Sequence, residues 1–222
     1  MRCINCWLAT LGLVLLCLLA LNSRGAFNSG IRGSGTSQAE TRQVQPFDSI
    51  RLDGVADVDV SISDHTELIV SADDNLLQSI QTTVSGGTLT ISEKQNISPK
   101  SNIKITIKTP NLKSTSLSGA GNFNVNGLKD SSFSVNVSGA GNITASGQVD
   151  TLTVKLSGAG RIDLADLLAK DTTITVSGAG SAKINSTDTL NASVSGVGSI
   201  AYKGSPNLTE QVSGVGTINH VP

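Results

Sequence analysis

Aromatic residues are scarce in this 222-residue chain: one Trp, one Tyr and four Phe, 3% of the total. Trp7 lies in the leading segment, so the rest offers few rings on which a sugar or base could stack. Histidine occurs only as His65, in a turn-like cluster, and His220, near the end, a pair that forms neither a triad nor a metal site. The three cysteines, Cys3, Cys6 and Cys17, all precede the polar part of the chain. Beyond Cys17 the chain has no disulfide framework, thiol nucleophile or cysteine-ligated zinc. Charge is sparse at 15%, and without Arg2 and Arg24 the 16 basic residues become 14, against 17 acidic ones. A slightly acidic chain without a basic run is not built for nucleic acid.

The longest apolar run opens the chain. Residues 3–23 carry no charge, and Trp7 to Leu21 is nearly continuous Leu, Ala, Val and Cys. Arg2 supplies a positive start, and Ser23-Arg24-Gly25 can precede cleavage before Ala26, the pattern of a secretory signal. The run is also long enough to span a bilayer uncleaved. Residues 1–25 therefore read as a signal peptide or a membrane anchor, the chain's one route to a membrane. Cys17 follows Leu16 inside the run, which does not suit a lipoprotein cysteine. Residues 26–45, with Asn28-Ser29-Gly30 and Gly33-Ser34-Gly35, read as a flexible Gly/Ser-rich tether. Export places the remainder in the periplasm or on the surface of a bacterium.

Glycine is plentiful, and much of it recurs at a fixed interval. Ser-Gly-Ala-Gly or Ser-Gly-Val-Gly begins at Ser118, Ser138, Ser157, Ser177, Ser195 and Ser213, with spacings of 20, 19, 20, 18 and 18 residues. The glycines are Gly119 and Gly121, Gly139 and Gly141, Gly158 and Gly160, Gly178 and Gly180, Gly196 and Gly198, Gly214 and Gly216. Before each first glycine the apolar residues alternate, as in Phe133, Val135 and Val137 or Leu152, Val154 and Leu156. After it comes a second alternation, as in Ile143 and Ala145 or Ile162 and Leu164. Period two marks strands with one buried face, and glycine permits a tight corner that stacks on its own copies.

Each repeat can be one coil, with equivalent strands pairing in parallel about 4.8 Å apart. The expected fold is all-β: a right-handed parallel β-solenoid, or β-helix, of about six coils of 18–20 residues over 111–222. Glu210 takes an apolar column's place in the last coil and marks an end. Residues 46–110 are β-rich but less regular and read as an N-terminal cap. Within them Asp73-Asp74-Asn75-Leu76-Leu77 suits a short helical turn and Gly86-Gly87 a hairpin turn. Residues 46–222 then form a single head domain.

The residues Phe47…Ile50…Gly54-Val55…Val58…Val60, then Leu68-Ile69-Val70, Asn75-Leu76 and Gly87-Thr88-Leu89-Thr90-Ile91, lead into the Ser-Gly-Ala-Gly coils. This combination resembles the bacterial GIN domain, a family known as the head of autotransporter adhesins. The likeness covers about residues 46 to 219. It implies an exported β-helical binding module, with a surface glycan or an envelope protein as partner, and supplies no catalytic or cofactor residues. Residues up to Pro222 are not expected to form the membrane barrel that an autotransporter carries after its head.

The repeats themselves offer little chemistry. Gly119-Ala120-Gly121 and its copies lack the third glycine of a dinucleotide fingerprint and open no helix. Where calcium-binding coils place Asp, this chain has Phe123, Ile143, Ile162, Ala182, Ile200 and Ile218. No cofactor or metal is therefore expected. The candidate surface face is Lys155, Arg161, Asp163 and Lys183, near Asp166, where a carboxylate and cations could act on a polysaccharide. Asp163 and Lys183 read more simply as a cross-coil ion pair. The outward ladder Asn122, Asn142, Arg161, Ser181, Ser199 and Thr217 could bind a repeating ligand through many weak hydrogen bonds. The expectation is a non-enzymatic binding module, with a polysaccharide-processing enzyme or a periplasmic accessory protein as the alternatives.

Overall fold

Alternation and corner glycines together specify a column, and the computed structural model, which describes residues 30–222, is a β-solenoid of about five turns.

The strands, in chain order, are β1 (Ile31–Arg32), β2 (Ser37–Arg42), β3 (Ser49–Leu52), β4 (Val55–Ile62), β5 (Glu67–Asp73), β6 (Ile80–Ser85), β7 (Thr88–Glu93), β8 (Ile97–Ser98) and β9 (Lys104–Thr109). Then come β10 (Ser114–Leu117), β11 (Ala120–Val137), β12 (Ala140–Leu156), β13 (Ala159–Val176), β14 (Ala179–Val194), β15 (Val197–Lys203), β16 (Asn207–Val212) and β17 (Thr217–His220). A 3₁₀ turn at Asp74–Ser79 joins β5 to β6. Glycines 86 and 87, with φ of 56° and 77°, turn the β6–β7 hairpin.

Two parallel stacks meet at the glycine corner. One runs β7, β3, β10, the ends of β11 to β14, then β16. The other runs β9, β4, the starts of β11 to β14, β15 and β17. A short third side is made by segments such as Leu128–Asp130 on Gly147–Val149. The apolar columns read from the sequence keep register: Val135 on Val154, Val154 on Ile174, Ile174 on Ala192. All four are buried in one continuous core.

The corner explains the glycines. Ser138 and Gly139 N–H groups both donate to Leu117 O, at 2.9 and 3.1 Å, and Ala140 N–H donates to Gly119 O at 3.0 Å. Neighbouring corners lie so close that a Cβ on Gly139 would collide with Gly119 O, and one on Gly141 with Gly121 O. Gly141 also holds a φ of 154°, which side-chain-bearing residues rarely adopt.

Two expectations for the N-terminal part are corrected. The first concerns the cap at 46–110. Its residues 49–62 form a coil of the column itself, because β3 pairs with β10 and β4 with β11. Asp53-Gly54 thus occupies the place of Ser118-Gly119, and Ala120 N–H donates to Gly54 O at 3.0 Å. The cap proper consists of the outer rung β7 and β9 and the antiparallel strands β5, β2 and β6.

The second correction concerns the tether at 26–45, of which residues 31–42 are built into the fold. β2 pairs antiparallel with β5, and β1 pairs with β8. Polar strands of this kind are held by backbone and side-chain bonds rather than by burial. Arg42 donates to Ile80 O at 2.6 Å and to Leu77 O at 2.7 Å, the latter a carbonyl of the 3₁₀ turn. The signal or anchor reading at 1–25 lies outside the described residues. No described helix is long and apolar enough to cross a membrane.

Candidate functional site

The outward residues of a parallel stack repeat at every rung, so the column's polar surface is a set of ladders. On the first stack Thr88, Ser49, Ser114, Ser134, Thr153, Thr173, Asn191 and Thr209 lie in one register. Beside them run Ser116, Asn136, Lys155, Thr175, Ser193 and Gln211. A shallow, open depression crosses Thr173, Asn191 and Thr209 on this face.

On the second stack Asp57, Asn122, Asn142, Arg161, Ser181, Ser199 and Thr217 form one column. Its hydrogen bonds have a direction. Asn122 Nδ2 donates to Asp57 Oδ1 at 2.7 Å, and Asn142 Nδ2 donates to Asn122 Oδ1 at 2.9 Å. A carboxylate therefore orients two successive amides, with Arg161 as the next rung. In the adjacent column Thr144 Oγ1 donates to Asn124 Oδ1 at 3.1 Å. At the cap end of the face Lys104 pairs with Asp59 at 2.9 Å and Lys108 with Glu67 at 2.8 Å. The first pair raises the Lys104 pKa, and the hydrogen bond from Lys108 lowers that of Glu67.

The four candidate residues do not share a face. Arg161, Asp163 and Lys183 project from the second stack, whereas Lys155 projects from the first, across the Ser157–Gly160 corner. Asp163 and Lys183 are register partners, yet the Asp163 carboxylate accepts a 3.3 Å bond from the Ala165 amide, and no ion pair joins it to Lys183. Asp166 is exposed at the next corner, in register with Ser146. The twelve corner glycines serve packing, as the collisions at Gly139 and Gly141 illustrate.

Elsewhere the carboxylates with shifted ionisation all move downwards. Lys113 holds Asp48 low, His65 holds Asp64 low, and Lys108 does the same to Glu67. At Asp73 burial opposes ionisation, but the amides of Lys100, Ser101 and Gly35, at 2.8, 3.3 and 3.1 Å, outweigh it and keep the pKa below the ordinary value. Among the described residues no group of three or more His, Cys, Asp or Glu side chains is placed to hold a metal. Asp57 is the site residue that sequence reasoning missed. The signal was available: Leu52-Asp53-Gly54-Val55-Ala56-Asp57-Val58 parallels Leu117-Ser118-Gly119-Ala120-Gly121-Asn122-Phe123.

A glycine-cornered parallel column with flat polar ladders is a β-solenoid. This chain belongs to the family described as "Putative auto-transporter adhesin, head GIN domain", whose model matches residues 46–206. Among solved structures it is similar to a "putative adhesin" from Bacteroides fragilis NCTC 9343, 28% identical, TM-score 0.68, covering 86% of this chain and 100% of that one. A "putative adhesin" from Parabacteroides merdae ATCC 43184 shares the fold at 21% identity, TM-score 0.61, over 87% of this chain and 100% of that one. A "Putative lipid binding protein" from Parabacteroides distasonis ATCC 8503 is similar at 25% identity, TM-score 0.53, over 87% and 100%. No curated protein matches the chain.

Proposed function

We propose that this protein is an exported, non-enzymatic binding head of the bacterial envelope, whose polar faces hold an extended surface glycan along the column. The observation that carries this reading is the ordered ladder Asp57–Asn122–Asn142–Arg161. A polymer laid along it meets amide and guanidinium groups rung after rung, the two amides already oriented by Asp57. Pre-orientation lowers the entropy lost on binding, so many weak hydrogen bonds can sum to useful affinity.

The test is a crosslinking capture with the full chain, presented with envelope fractions and with foreign cell surfaces. Saturable capture of a surface glycan supports the reading. Capture of a resident envelope protein alone would replace it with an accessory role, and shortening of the glycan would replace it with catalysis.

A further inference from the structure

Two edge strands, β16 and β17, end the column, each paired along one side only. On β17, His220 Nε2 lies 2.9 Å from Gly204 O, and its ring packs on Tyr202 with centroids 5.2 Å apart at 58°. Val221 N–H donates to Tyr202 O at 2.9 Å, which extends the pairing of β17 with β15 and leaves the outer edge of β17 open as well. β16 pairs with β14 along one edge, and all six of its residues are exposed. Leu208 continues the column of Leu190, Glu210 that of Ala192, and Val212 that of Val194. The two apolar residues are 37% and 45% exposed, whereas Leu190 and Val194 are fully buried. The core-facing side of β16 thus reads apolar, carboxylate, apolar, with no further strand over it among the described residues.

We infer that the free edge of β16 is a docking site for an extended peptide segment of a partner protein, added as a further parallel rung. The segment would place apolar side chains over Leu208 and Val212 and a Lys or Arg over Glu210. Strand addition takes affinity from backbone hydrogen bonds and specificity from alternate side chains, and here the side chains spell a definite pattern. Charge complementarity selects the occupant. An inward charge on an edge strand discourages pairing with like edges, and a second copy docking about a twofold with Leu208 opposite Val212 would set two Glu210 carboxylates against each other. A basic residue from another chain relieves the same charge.

Size agrees with a peptide. A six-residue rung on a column about 10 Å thick presents roughly 200 Å², far below the ~800 Å² per partner of a stable protein interface. This rung lies beyond the family match at 46–206, and the inference does not depend on the glycan reading.

The experiment is fluorescence anisotropy with the full chain in mild detergent. The probes are two labelled peptides, Gly-Asn-Leu-Thr-Lys-Gln-Val-Gly and its counterpart with Glu for Lys. The lysine peptide should bind saturably and at least tenfold more tightly than the glutamate peptide. In Glu210→Lys, an exposed substitution that leaves the packing of the coil intact, the preference should invert. Equal binding of both peptides, or binding of neither, would overturn the inference. So would dimerisation of the peptide-free chain that Leu208→Lys abolishes, which would assign the edge to a second copy.

Discussion

The carboxylate of Glu93 accepts a 2.7 Å hydrogen bond from the backbone N–H of Val55. In the coils above, the equivalent amides of Ala120, Ala140 and Ala159 donate to the carbonyls of Gly54, Gly119 and Gly139, each at 3.0 Å. The outer rung has no glycine corner, so a side chain from the end of β7 supplies the missing acceptor. Glu93 thereby terminates the corner column at the cap.

That role makes Glu93→Ala costly for its position. Losing a charge-assisted bond to an exposed amide should destabilise the head by about 1–2 kcal/mol, with Glu93→Gln recovering part of it. Denaturant midpoints of the two variants, compared at neutral pH, check this. Equal midpoints for Glu93→Ala and the parent would contradict it.

The corner glycines should separate sharply from their neighbours. Gly141→Ala drives a Cβ into Gly121 O at a φ of 154°, and should lower stability by about 2–3 kcal/mol or more. Ala140→Ser, on the exposed ridge one residue away, should stay within about 0.5 kcal/mol of the parent. Thermal unfolding of the pair measures the difference.

Two core positions should improve on substitution. The hydroxyls of Thr115 and Thr172 are buried without a hydrogen-bond partner. Thr115 stands between Ile50 and Val135 and Thr172 between Leu152 and Leu190, so Thr115→Val and Thr172→Val remove a desolvated hydroxyl at nearly constant volume. Each should stabilise by about 1 kcal/mol, read from the denaturant midpoint at unchanged slope.

The N-terminal clasp should weaken in acid. Asp73 has a folded pKa below its ordinary value of 3.8, so it binds its proton less readily folded than unfolded. Its contribution is therefore complete above the ordinary value and is lost as pH falls through the depressed one. Amide exchange at Gly35 and Lys100 should accelerate in that window, beyond the intrinsic pH effect, and Asp73→Asn should flatten the dependence. A parent and variant with the same acid profile would refute the clasp.

Much of this architecture is legible in the chain because burial and period act together. Val135, Val154 and Ile174 announce their column, and the glycines announce the corner. The coil at residues 49–62 is harder to see, since Asp53 and Ala56 replace the Ser and the second Gly of the tetrapeptide. Strand β2 is harder still: Ser37–Arg42 has no apolar alternation, and its placement depends on pairing with β5 and on Arg42 reaching the carbonyls of Leu77 and Ile80. Those bonds join residues 35 to 38 positions apart, which local pattern does not encode. For the site, spacing set Lys155 and Arg161 on the two flanks of one corner and Asp163 level with Lys183, but it did not show that the Asp163 carboxylate takes the Ala165 amide in place of an ion pair with Lys183.

The most direct test of the binding reading is capture of an envelope polysaccharide by the full chain and by an Asn122→Ala/Asn142→Ala/Arg161→Ala variant. Bound glycan and its chain length are measured together. The account requires saturable capture by the parent, at least tenfold weaker capture by the folded variant, and glycan of unchanged length. Capture that survives the triple substitution, or glycan that emerges shortened, would contradict it.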